Sequence, residues 1–220
     1  MRYWLAAIFA LLAGPVSAQK LVPPDEIVIY VHKDLPEQDT DFVDGLVCEL
    51  GRVLAVPVRA RKSELPLSRS DLATPTQLDA NKVRLSFAHA TADEGRAFRY
   101  LILPYDLKVE RLNYVFSNTV LDGETAAVMS TIRLVPREPG LTRKRIADVT
   151  ADRIYKLMLK SIALLAGLRT NGCIMAFPRS LPELDAKSDE FCPDDKAALV
   201  AAAILKARPV GACNIVAMAQ

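Results

Sequence analysis

Four cysteines, two histidines and the adjacent Lys160 and Ser161 are the residues of this chain singled out as suiting redox, metal or nucleophilic chemistry. The cysteines are Cys48, Cys173, Cys192 and Cys213. A four-thiolate zinc site uses short two-cysteine pairs, and these separations contain none. An even cysteine count suits disulfides in an oxidising compartment, with the pairing left open by the spacing. His32 and His89 are the only imidazoles, far from the rest of the chemistry-bearing residues in sequence. Ser161 follows Lys160, a residue pair that serves some hydrolases. Neighbours on a helix point in different directions, so this lysine is poorly placed to deprotonate that serine. Lys160 reads better as a side chain snorkelling along Leu157 and Leu164, with Asp106 or Glu124 as acidic partners. Asp185 and Lys187 read as a local turn and ion pair, because a carboxylate without a neighbouring acid or metal has no proton-transfer role. Gly45, Gly51 and Gly95 lie outside any phosphate-loop pattern, so nothing points to a nucleotide.

These residues need elements to hold them. Residues 26–31 are rich in β-branched side chains and read as a strand, followed by a helix over 41–50 whose Val43, Leu46, Val47 and Leu50 form one stripe. A second strand over 53–58 would complete a parallel crossover unit. Residues 62–80 read as a surface excursion with the start of a short helix near Thr76, and 83–87 as a further strand. A more secure strand covers 100–103. Residues 114–116 are extended and could form a hairpin with a strand over 126–134, across a turn containing Asp122 and Gly123. A long helix is expected from Thr142 or Asp148 through Ala166, ended by Gly167 in a left-handed conformation. Residues 178–192 read as a loop, Pro193 and Asp194 precede a final helix through Lys206, and the last residues read as a tail over the core.

The first 18 residues have a positive start, a short apolar run and Ser17-Ala18 before a cut, the pattern of a cleaved signal peptide. The apolar run is too short to span a bilayer comfortably. The expectation is therefore an exported chain, periplasmic or secreted, with residues 19–220 as one domain and no membrane span after cleavage. Lys plus Arg number 28 against 26 Asp plus Glu, a net charge of +2 that gives no electrostatic case for a nucleic-acid partner. The basic clusters at Arg59, Arg61, Lys62 and at Arg143, Lys144, Arg145 read as solvated faces.

Two stretches carry a resemblance to a known family. They are RYLILPYDLKVERLNYVFSNTVLDGETAAVMSTIRL from Arg99 and KSIALLAGLRTNGCIMAFPRSLPELDAKSDEFCPDD from Lys160. In their order and spacing they resemble the archaemetzincin-like metallopeptidases of the metzincin clan. That family's zinc motif is HExxHxxGxxH. Laid along this chain, its first His falls on Lys160, its Glu on Ser161, its second His on Leu164, its Gly on Gly167 and its third His on Thr170. Only the glycine is retained. A protonated lysine has no lone pair for a metal, leucine has no donor atom, and a serine cannot act as the carboxylate base beside a metal-bound water. The four cysteines of the family's second metal site fall on Asn171, Cys173, Cys192 and Asp195. Met175 matches the methionine beneath the zinc and reads here as a core residue, while Asp185 and Lys187 match retained positions.

The resemblance implies an α+β, metzincin-like fold: a mixed, twisted β-sheet with packed helices and a mainly helical C-terminal part. It also implies that Cys173 and Cys192 have become a disulfide, leaving Cys48 and Cys213 to tie the first helix to the tail. The expected protein is a non-catalytic exported relative with no cofactor and no metal. It would bind an extended peptide or an envelope protein in a vestigial cleft, along an edge strand containing Val128, Ser130 and Ile132. The competing expectations are a zinc-dependent peptidase or other hydrolase with a displaced site, and a structural protein of the cell envelope.

Overall fold

Ile27–His32 forms β1, whose side chains are almost all buried because the strand lies inside the sheet and meets packed elements on both faces. The computed structural model describes residues 20–37, 40–120 and 125–213, so the signal-peptide expectation for residues 1–18 lies outside the described residues. Helix α1 (Phe42–Val53) follows, and then β2 (Val58–Ser63), parallel to β1. The expected strand over 53–58 is therefore displaced. Val53 ends α1, while Leu54 is buried in the core. The true strand, VRARKS, is polar because it forms an edge of the sheet.

After β3 (Leu72–Thr74) and β4 (Gln77–Asp79) comes helix α2 (Ala80–Ala90), where a strand over 83–87 was expected. Local capping and spacing explain the difference. The Asp79 carboxylate accepts hydrogen bonds from the Asn81 and Lys82 backbone N–H groups, and Ala80, Val83, Phe87 and Ala88 fall on one buried helical face. Strands β5 (Phe98–Leu103), β6 (Leu107–Lys108), β7 (Ser117–Thr119) and β8 (Ala126–Ser130) follow. The main sheet has the order β2-β1-β5-β8-β7, parallel except for the antiparallel β7–β8 pair, and β3-β4-β6 form a small second sheet. The α+β architecture is thus as expected. The edge-strand assignment is not: β8 lies between β5 and β7, so Val128 and Ser130 are buried, while Ile132 lies past the strand's end. The free edge on that side belongs to β7.

Period-2 alternation sends the strand side chains into two cores. Ile27, Ile29, Tyr100, Ile102, Ala127 and Met129 pack with α1 and with α3 (Arg143–Ala166). Val28, Leu101, Leu103, Ala126 and Val128 pack with α2 and the small sheet. Helix α3 begins where the Thr142 hydroxyl accepts from Arg145 N–H, and ends at Gly167, whose φ of 111° places it in the left-handed region. Beyond it, α4 (Leu181–Ala186) occupies part of the expected loop, capped by Ser180, and α5 (Pro193–Ala201) ends before the expected Lys206. Among the described residues, no helix is long and apolar enough to cross a membrane. Both basic clusters are drawn into ion pairs, Arg59 with Glu26 and Glu94, Arg61 with Glu94, Arg143 with Asp41 and Lys144 with Asp148.

The lower part is held by two disulfides and an ion pair between buried Arg153 and exposed Asp185. Cys48 on α1 is bonded to Cys213 in the tail, and Cys173 to Cys192 across a separation of 19 residues. Arg153 on α3 donates to both Asp185 oxygens, at 2.7 and 2.8 Å, and to the Leu134 carbonyl at 2.7 Å. Asp185 therefore pairs with Arg153 rather than with Lys187, and this guanidinium holds its carboxyl below the usual range. Lys187 is buried, and its ammonium makes no hydrogen bond. Burial, with Lys160 and Lys156 close enough to repel it, lowers its pKa from 10.5 to about 7.

Two outcomes follow from these anchors. Replacing Cys173 and Cys192 by serine should cost roughly 3 kcal/mol in urea denaturation, the magnitude expected of a loop this size. Lys187→Met should raise the melting temperature, with a sign fixed by linkage. Below pH 7 the native state bears the full cost of the buried ammonium. Between pH 7 and 10.5 the unfolded chain holds a proton that the native state has released, so wild-type stability climbs with pH. The advantage of Lys187→Met should be largest near pH 6 and should shrink by pH 10 in paired thermal melts.

Candidate functional site

A cavity of about 480 Å³ opens between α3 and the segment 112–119 that leads through β7, a volume in the range of small-ligand sites. From α3, Leu157, Lys160, Ser161 and Leu164 line it, spaced so that a single helical face turns toward the opening. Tyr114, Phe116, Ser117 and Thr119 line the opposite wall, and Phe177 and Arg179 close the end. The wall segment is fixed from behind. Asp106 holds Arg133 bidentately, Arg133 lies 4.0 Å over the Tyr114 ring, and Gln77 donates to both Asp106 and the Asn113 carbonyl.

The free edge of β7 runs along this cavity. Ser130 N–H donates to the Phe116 carbonyl at 2.9 Å, and the pairing continues as Ser117 with Met129, Asn118 with Val128 and Thr119 with Ala127. Antiparallel hydrogen bonding alternates between residue pairs, so the backbone groups of Ser117 and Thr119 point away from β8. The Thr119 hydroxyl bonds the Ser161 hydroxyl at 2.8 Å, joining edge to helix, while Asn118 faces α2 and donates to Asn81.

Each residue aligned with the zinc motif now has a position. Lys160 places its ammonium 3.4 Å from the Ala176 carbonyl and 4.9 Å from the centre of the Phe177 ring. Burial lowers its pKa. Of the two acidic partners expected for it, Asp106 is held instead by Arg133 and Gln77, and Glu124 lies outside the described residues. Leu164 lines the cavity with a hydrocarbon. The Thr170 hydroxyl donates to Asp195 at 2.8 Å, and Met175 is buried in the core below. This donor set of an ammonium, an isobutyl group and an engaged hydroxyl does not fit a zinc ion. The positions of the second metal site fit one no better, since Cys173 and Cys192 are joined to each other and Asp195 is engaged by Thr170.

The histidines stay away from the cavity. His32 is buried at the end of β1, with Nε2 2.9 Å from the Leu65 carbonyl and Nδ1 accepting from Asp34 N–H, and His89 is exposed on α2. Sequence reasoning found the α3 face but not Thr119, Phe177 and Arg179. The only hint of the second wall is the alternation of Tyr114 and Phe116 ahead of the polar β7.

The comparisons agree with this geometry. No family model matches the chain. The chain is 35% identical over 139 residues to the archaemetzincin of Halobacterium salinarum, covering 61% of this chain and 78% of that one. It is 30% identical over 119 residues to the archaemetzincin of Saccharolobus solfataricus, covering 53% of this chain and 62% of that one. Among solved structures, the zinc-dependent peptidase of Methanocorpusculum labreanum superposes with a TM-score of 0.66 at 25% identity, over 79% of this chain and 99% of that one. The archaemetzincin of Methanopyrus kandleri gives 0.64 at 20% identity, over 81% and 96%. Sequence identity across most of a curated relative, joined to the same fold over nearly the whole of two solved chains, means that this chain belongs to the archaemetzincin family.

Proposed function

We propose that this chain is an exported, non-catalytic archaemetzincin that binds an extended peptide segment along β7. The observation that carries the reading is the chemistry of the α3 face. By the resemblance, Lys160, Ser161 and Leu164 align with the family's two helical imidazoles and its general base, and they line an open cavity. A scaffold that loses the catalytic groups while keeping the cleft retains the capacity to bind. Backbone groups of Ser117 and Thr119 directed outward offer the hydrogen bonds of strand addition, which need no metal. The two edges of the main sheet differ in a way that favours β7. The β2 edge carries Arg59, Arg61 and Lys62, charges that discourage pairing, whereas β7 carries only Ser117, Asn118 and Thr119. Export is supported by the leader pattern in residues 1–18 and by two disulfides, which persist in the periplasm or outside the cell.

Mature, tag-free protein should contain no stoichiometric zinc by elemental analysis and should show no chelator-sensitive cleavage of a peptide library. It should bind extended hexapeptides in fluorescence anisotropy, and Thr119→Pro, which deletes one outward N–H, should weaken that binding about tenfold with little change in melting temperature. Chelator-sensitive turnover by zinc-loaded protein would overturn the non-catalytic reading. Unchanged binding by Thr119→Pro would overturn the β7 edge as the docking site.

A further inference from the structure

Several cations of this protein are matched by anions, while Lys82, Lys108 and Lys206 bond backbone carbonyls outside the cavity. Arg59, Arg133, Arg143 and Arg153 each hold a carboxylate, and Lys156 lies 3.0 Å from Asp152. Lys160 differs. Its ammonium, partly buried at the cavity wall, touches one carbonyl at 3.4 Å and the face of Phe177, and the described residues that line the cavity include no carboxylate. Arg179 closes the same cavity, and its guanidinium forms no ion pair among the described residues. The nearby ammonium of Lys187 adds to the positive field without balancing it. Among the described residues, the lining of the cavity is largely apolar, with Lys160 and Arg179 as its cations and no carboxylate, the Glu183 carboxylate lying beyond it on the Arg179 backbone N–H. Leu112 and Phe177 at its margin are 40% and 60% exposed, large apolar surfaces without cover.

A half-desolvated ammonium with no counter-ion among the described residues gains most from a ligand that brings one. We infer that Lys160 is the anion contact of the cleft and that the bound peptide carries a carboxylate, a free C-terminus or an acidic side chain, to Lys160 with Arg179 assisting at the rim. The inference rests on the peptide-binding reading above and specifies its ligand class. An extended segment paired with Ser117 and Thr119 brings its side chains over Ser161 and Lys160, because Thr119 and Ser161 are already in contact. Apolar residues of that segment would cover Leu157, Leu164 and Phe177. No covalent step is involved.

The test uses the full mature protein and fluorescein-labelled hexapeptides randomised over valine, leucine, phenylalanine, threonine and serine, in matched free-acid, C-terminal amide and internal-glutamate sets, with dodecanoate as a non-peptide carboxylate. Wild type should bind the two acidic sets at least about tenfold more tightly than the amide set, a difference of about 1.4 kcal/mol. Lys160→Met should erase that preference, bringing the ratio of acid-set to amide-set affinity to about one, and Lys160→Arg should retain it. Melting temperatures of both variants should show that they fold. Equal binding of acid and amide sets by wild type, or a Lys160→Met effect common to both, would overturn the anion contact and leave the peptide reading standing. Absence of binding by every hexapeptide set and by dodecanoate would overturn both. Lys160-dependent binding of dodecanoate with no peptide binding would overturn the peptide as carrier of the carboxylate.

Discussion

One helix has to serve two environments. Along its length α3 buries Ile154, Met158, Ile162 and Ala163 in the core, while Leu157, Lys160, Ser161 and Leu164 face a cleft. The first set fixes where the second can be. A helix packed on a sheet cannot rotate without exposing its apolar stripe, at a cost of roughly 1.5–3 kcal/mol for each large side chain. The cleft-facing residues can therefore change chemistry without changing place. The positions that the resemblance aligns with the family's motif here carry an ammonium, a hydroxyl and a hydrocarbon, in a fold that superposes on a zinc-dependent peptidase and on an archaemetzincin.

The segment after α3 shows the same separation of geometry from chemistry. A short loop that folds back on a helix needs a staple, because its backbone has few regular partners. Cys173–Cys192 is that staple here, and Thr170 bonded to Asp195 reinforces it. Arg153 adds a second anchor by gripping both the Asp185 carboxylate and the Leu134 carbonyl, joining α3, α4 and the chain beyond β8. With its fork of donors filled, this buried cation needs no further partner, unlike Lys160.

The two ends of the main sheet have opposite characters. At β2 the edge is charged and closed by ion pairs to Glu26 and Glu94. At β7 the edge is short, uncharged and set against a cavity with apolar walls. An unpaired strand edge invites association, so a protein that guards one edge and leaves the other beside a cleft has confined that tendency to one place.

By itself the sequence determined the elements whose burial follows a simple period. The β-branched run of β1, the stripe of α1, the long α3 and its end at Gly167 were all legible. The cysteine pairing followed from the resemblance and not from spacing. Only the tertiary structure decided which strand is an edge: β8 looked like one until β7 paired beside it and buried Val128 and Ser130. The polar β2 and the helical α2 were misread because edge position and an Asp79 cap outweigh strand propensity. The partners of Asp185 and Lys160 were equally hidden, since charges choose neighbours through the folded chain rather than along it. Thr119, Phe177 and Arg179 join Lys160 at one cavity only because α3 and the 112–119 segment pack side by side, a contact between segments far apart in the chain.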